Sequence, residues 1–159
     1  MADRALFSAE TMICDLAATS SKQLFRDIAL RLIEAHGLEE QGVSCRDIVA
    51  AATERERLGS TGVGNGVALP HARIQGMDKV VAAFARLSEP LEFDAVDGRP
   101  VDLVCFLLAP EDCGGAHLRA LARVSRLLRR PETRQRLRAA PNAEALYAIL
   151  ADDASSVAA

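Results

Sequence analysis

Tryptophan is absent from this 159-residue chain, and one tyrosine and five phenylalanines are its only classical aromatics. Positive charge is not in excess either: the net charge is −3, which exerts no general pull toward nucleic acid or an anionic membrane. No uncharged run reaches the roughly 18 residues that could span a bilayer. The first seven residues lack the apolar stretch of a signal peptide, so the expectation is a cytoplasmic protein without membrane insertion. The four cysteines, at 14, 45, 105 and 113, form no C-x-x-C pair and no metal-ligand spacing. They read as reduced thiols, with no metal expected. The glycines also fail to make a nucleotide motif. They precede a strand instead of opening a helix, and no Gly-Lys-Ser/Thr follows them.

Half the residues are hydrophobic and about a quarter charged, the balance of an ordinary globular protein, and the length suits one domain over 1–159. Residues 12–16 read as a first strand. Ser20 or Ser21 caps a helix, with Gln23 in capping-box position, and Gly37 stops it. Its apolar face is Leu24, Ile28 and Leu32, with Phe25 and Ala29 beside it. Ser44 caps a second helix from Cys45 to about Arg57, ended by Gly59.

Three short apolar runs follow, at 67–69, 80–85 and 101–108, and fit strands buried on both faces of a sheet. Residues 88–100 between them are rich in turn formers. A long helix is expected from about Ala116 to Arg130, with Leu118, Leu121, Ser125 and Leu128 along one face. Pro131 suits the first turn of a short helix, and Asn142 caps a last one carrying Leu146, Ile149 and Leu150. Helices around a central sheet give an α/β sandwich.

Between 119 and 138, eight arginines face one glutamate, a local balance of +7. Arg119, Arg123, Arg126 and Arg130 recur at helical spacing as one stripe opposite the leucines. Such a stripe is a solvated face, or a surface for an acidic partner or a phosphorylated donor. It holds no aromatic on which a base could stack, which argues against nucleic acid.

The densest signal lies at 59–71, where Gly62, Gly64 and Gly66 alternate after Ser60 and Thr61 and lead through Val67-Ala68-Leu69 to Pro70-His71. Alternate glycines allow positive φ and can turn backbone N–H groups toward one point, a concavity suited to an oxyanion. Pro70 ends the apolar strand and leaves His71 at its tip. Imidazole is a nucleophile that is partly unprotonated at neutral pH, so a His beside amides for an anion suggests a phosphoryl acceptor.

The whole stretch from Arg55 to His71 resembles the active-site signature of bacterial phosphotransferase-system IIA domains of the mannitol/fructose type, nearest their nitrogen-regulatory branch. The resemblance extends to the opening Leu6 to Glu10 and to the segments after His117 and Arg136, and departs at Cys113-Gly114-Gly115. It implies a mixed sheet of about five strands with helices on both sides. It implies that His71 carries the phosphoryl group on Nε2, that Arg55 offsets the charge, and that His117 hydrogen-bonds the phosphorylated ring or its phosphate. Arg57 competes with Arg55 for that role, but residues two apart on a helix face different ways. Amides of Gly62 to Gly66, with the Ser60 or Thr61 hydroxyls, are expected to hold phosphoryl oxygens.

The implied function is a phosphocarrier and regulator that needs no organic cofactor and is charged by an NPr-like phosphohistidine donor. Potassium transporters or sensor kinases are the family's expected targets. Two alternatives stand beside it: a sugar-specific IIA component passing phosphate to a IIB domain, and an anion-binding module without phosphate turnover.

Overall fold

The computed structural model describes residues 6–112 and 114–158. Strand β6 (Val101–Pro110) is the hub of a mixed six-stranded sheet. Leu103 through Ala109 are fully buried, as expected of a continuous apolar strand covered on both faces. β6 pairs antiparallel with β5 (Val81–Leu91), which in turn pairs parallel with β1 (Met12–Leu16). Along its other edge β6 runs parallel to β3 (Val67–Ala68) and then to β4 (His71–Ile74). β2 (Gly62–Gly64) closes antiparallel on β3.

The sixth strand comes from one interruption. β3 lies beside Leu103 and Val104, and β4 resumes beside Leu107 on the same line. Pro70 has no N–H to give to the ladder, but its carbonyl accepts Leu107 N–H at 3.0 Å and keeps the line straight. His71 therefore opens a strand instead of standing at the tip of one. β5 also runs further than the turn-rich composition of 88–100 suggests, continuing through Ser88, Glu89 and Pro90 to Leu91.

Alternation in the central strands feeds two cores. Ala83, Ala85, Val104, Phe106 and Leu108 pack beneath α1 (Ser21–His36) and α2 (Cys45–Leu58), with Phe25 edge-on to Phe106. Ala82, Phe84, Leu103, Cys105 and Leu107 pack beneath α3 (Ala116–Arg129), α4 (Pro131–Ala139) and α5 (Ala143–Ala158). Helices on both faces make the sandwich the sequence implies. Among the described residues no helix is long and apolar enough to cross a membrane.

The caps sharpen two boundaries. Ser44 and Asp47 form a reciprocal capping box on α2. On α1, Ser20 Oγ accepts Gln23 N–H at 3.1 Å, but the Gln23 side chain reaches back to Thr19 instead of Ser20. The glycine run is a hairpin. Its two-residue turn is Asn65-Gly66, with φ of +58° and +79°, the left-handed pair that type I′ turns require. An Asn-Gly pair between apolar stretches is itself a hairpin signal, and it competes with the oxyanion reading of the same residues.

Candidate active site

His71 stands beside the carbonyl of Leu69, which lies 2.9 Å from Nδ1. A carbonyl oxygen can only accept, so Nδ1 bears the ring proton and Nε2 keeps its lone pair. Arg55 Nε donates to that Nε2 at 3.3 Å, while Arg55 Nη1 donates to the Gly59 carbonyl at 2.9 Å. The guanidinium is thereby tied to the chain at the end of α2 and aimed at the unprotonated nitrogen. Burial pushes His71 below its ordinary value of 6.5, and the Arg55 and Arg73 cations push the same way; the Leu69 bond and Glu56 oppose them. The ring stays neutral at pH 7.

His117, the second residue of α3, faces this ring with centroids 5.2 Å apart and planes at 48°. It is only 4% exposed, and its buried Nδ1 has no hydrogen-bond partner. Burial lowers its pKa, and His71 and Arg73 add to the shift. The positive end of α3 favours the same neutral form. Two neutral imidazoles thus share one site, one tied through both nitrogens and the other with bonding capacity in reserve.

A cavity of about 520 Å³ opens at His71. Arg55, Ser60 and Thr61 line one side, and Leu118, Ser125, Arg126 and Arg129 of α3 line the other. This α3 wall departs from the sequence reading. Leu118 and Ser125 face the cavity, Leu121 lies between cavity and core, and the core takes Val124, Leu127 and Leu128. Arg126 therefore borders the leucines instead of opposing them. The arginines of α4 are engaged elsewhere. Arg136 pairs with Asp153 at 2.8 Å, Arg138 with Asp102 at 2.9 Å, and Arg134 donates to the Leu128 and Arg129 carbonyls. The sequence alone could not separate these groups, because residues far along the chain, Asp102 and Asp153 among them, decide where each arginine points.

Of the expected site residues, the structure brings Arg55, His71 and His117 together. Arg57 is exposed and pairs with Glu54. Gly62, Gly64 and Gly66 do not line the cavity. The Gly62 amide donates to Ser60 Oγ, and the Asn65 amide to Asp97 Oδ2 at 2.9 Å. Gly66 instead leaves room for Arg138, whose Nη2 occupies the space a Cβ would need. Ser60 and Thr61 do line the cavity, but their hydroxyls donate to the Phe93 carbonyl and to Glu56. In this arrangement the concavity at His71 is framed by side chains of α2 and α3 rather than by glycine amides.

Residues 5–153 match the family described as phosphoenolpyruvate-dependent sugar phosphotransferase system, EIIA 2. The chain belongs to that family. This IIA domain is 42% identical to a nitrogen regulatory protein of Bradyrhizobium diazoefficiens over 146 residues, 92% of each chain. It is 38% identical to a nitrogen regulatory protein of Escherichia coli over 125 residues, 78% of this chain and 77% of the other. The crystal structure of nitrogen regulatory protein IIA-Ntr from Neisseria meningitidis matches with a TM-score of 0.83 at 36% identity, over 93% of this chain and 97% of that one. IIA mannitol from Escherichia coli shares the fold with a TM-score of 0.72 at 20% identity, over 91% and 98%. Its similar proteins thus include nitrogen regulatory proteins as well as a mannitol-type IIA domain.

Proposed function

We propose that this IIA domain is a phosphocarrier of the nitrogen-regulatory branch, accepting a phosphoryl group on His71 Nε2 from an NPr-like phosphohistidine protein. The observation that carries the reading is the pair of bonds on His71: Nδ1–H held by Leu69 and Nε2 left as a lone pair beside Arg55.

The chemistry asks little proton movement of such a site. The Nε2 lone pair forms the new N–P bond as the N–P bond to the donor imidazole breaks. The donor ring, protonated on its other nitrogen, leaves neutral with its electron pair, and the His71 ring takes up the positive charge. His71 retains its proton on Nδ1 throughout. Phosphoryl transfer depends mainly on positioning and on charge stabilisation. Arg55 Nε would leave the lone pair and engage the phosphoryl oxygens. His117 Nδ1, without a partner in this state, would gain one in the charged state. Arg126 and Arg129 add positive charge to the cavity wall. Adding a dianion to this basic cavity changes which surfaces it can receive, and that change would be the regulatory output. Potassium transporters and sensor kinases are the family-based candidates for the receiving proteins.

Incubation with a phosphorylated NPr-like donor tests the reading. One acid-labile, alkali-stable phosphoryl group per chain is expected, with none on His71→Ala. Binding of the donor without any transfer would leave only the anion-binding alternative. Passage of the label to a sugar-specific IIB domain at least as fast as its acquisition would favour the transporter alternative.

A further inference from the structure

We infer that Glu56 is a positioning residue for His71, its carboxylate anchoring a hydrogen-bonded chain through Thr61 and Leu69 that keeps the ring proton on Nδ1. The inference rests on the reading of His71 as the acceptor. The chain has three links. Both Glu56 carboxylate oxygens accept the Thr61 N–H at 3.2 Å, and Oε1 also accepts the Thr61 hydroxyl. The Thr61 carbonyl accepts Leu69 N–H at 3.0 Å. The Leu69 carbonyl then accepts His71 Nδ1–H at 2.9 Å.

Both intermediate residues are 4% exposed, so water cannot readily replace a broken link. Among the described residues no cation pairs with Glu56, which leaves its charge to the two Thr61 donors. Arg55 and Glu56 are consecutive in the last turn of α2. One therefore addresses Nε2 directly, and the other addresses Nδ1 through the loop. The tautomer of a neutral imidazole follows the bonds its nitrogens make. Arg55 Nε–H opposes a proton on Nε2, and loosening the Leu69 carbonyl weakens the other hold, so a larger fraction of rings carries the proton on Nε2 and lacks the nucleophilic lone pair. Glu56 also joins the Leu69 bond in opposing burial and the Arg55 and Arg73 cations, since its negative charge raises the His71 pKa.

Long-range ¹H–¹⁵N spectra of the unphosphorylated full chain at about pH 8, where imidazole is neutral, read the His71 tautomer directly. Wild type and Thr61→Ser, which keeps both Thr61 donors, should show Nδ1–H. Glu56→Gln offers one acceptor oxygen to two donors, and its Nε2–H fraction should rise about two- to tenfold, the ratio set by removing one hydrogen bond. Thr61→Val, close in volume but without the hydroxyl, should shift the same way by less. A folded Glu56→Gln with the wild-type tautomer would overturn the inference. Should Glu56→Gln not fold, an unchanged tautomer in Thr61→Val would overturn it instead. A purely structural Glu56 would lower the melting temperature of its variants and leave the tautomer where it is. The spectra need no donor, so they stand or fall separately from the labelling of His71.

Discussion

The two sides of the His71 cavity are built on different physics. On the α2 side, Arg55, Glu56 and the loop at 59–61 are fixed by directional bonds to Gly59, Thr61, Leu69 and His71 itself. On the α3 side, His117 is held by packing, and Leu118 projects with 61% exposure next to Arg126 and Arg129. Bonds that are complete before reaction preorganise a nucleophile at no cost when the reaction occurs. Groups left unpaired in one state are free to respond to charge that arrives in the other. Under the proposed function, the α2 side is the part that prepares His71, and the α3 side the part that would sense whether it is phosphorylated.

The largest expected effect falls on the prepared side. Arg55→Ala should slow phosphorylation on the order of a hundredfold, the scale of removing one preorganised charge from the transferring group. Quenched-flow labelling measures it, and a rate near wild type would place the charge stabilisation elsewhere. Arg57→Ala is the control. Its side chain is 74% exposed and its Glu54 partner 67% exposed, so little change is expected.

On the sensing side, His117→Ala should slow transfer and shorten the phosphohistidine lifetime by roughly tenfold each, as expected for one hydrogen bond to a charged group. His117→Gln should retain more of both. Because the ring is buried, the Ala variant should also lose about 2 kcal/mol in urea unfolding, while Gln, nearer in volume, loses less. Equal transfer by both variants and wild type would erase the distinction between the two sides.

The hairpin beneath the site should register in stability before rate. Gly64 has φ of +102°, and a Cβ there would come within 3.3 Å of Asp97 Oδ2. Gly64→Val should therefore cost about 1–3 kcal/mol of folding free energy, with a smaller effect on transfer per folded molecule than Arg55→Ala has. The reverse order would return the glycine amides to the phosphate.

The smallest effect is on pH dependence. His71 and His117 both bind protons less readily in the folded chain than their ordinary value of 6.5 implies. As pH falls below about 6.5 the unfolded chain gains protons that the folded chain refuses, so the contribution of these two rings to stability declines toward acid and levels off above that range. Melting curves should show that slope in wild type and a shallower one in His117→Gln. The nucleophile itself should stay neutral, and transfer competent, at a lower pH than a free histidine would.

Much of this was legible in the sequence because its signals were local. Ser44 marks the start of α2, and the apolar run around Cys105 announces a buried strand. Arg55 and His71 were legible from the motif that joins them. What was not legible depends on interactions across the sheet. Pro70 interrupts a strand line without ending it, because β6 continues alongside and holds both pieces. The 59–66 stretch reads as an amide nest in the sequence, but it folds as a hairpin, and Asp97, Asp102 and Arg138, distant in sequence, take up its polar groups. Leu118 reads as core by periodicity, but α3 turns its deepest face, Val124 and Leu127, to the sheet.

The central claim is that His71 is the acceptor and Nε2 its reacting atom. ³¹P and ¹⁵N spectra of the chain after exposure to a phosphorylated NPr-like donor address it most directly. A single phosphohistidine is expected, at Nε2 of His71, with the Nδ1 proton retained, and no signal from His71→Ala. A phosphoryl group on Nδ1, on His117, or on the His71→Ala chain would contradict it.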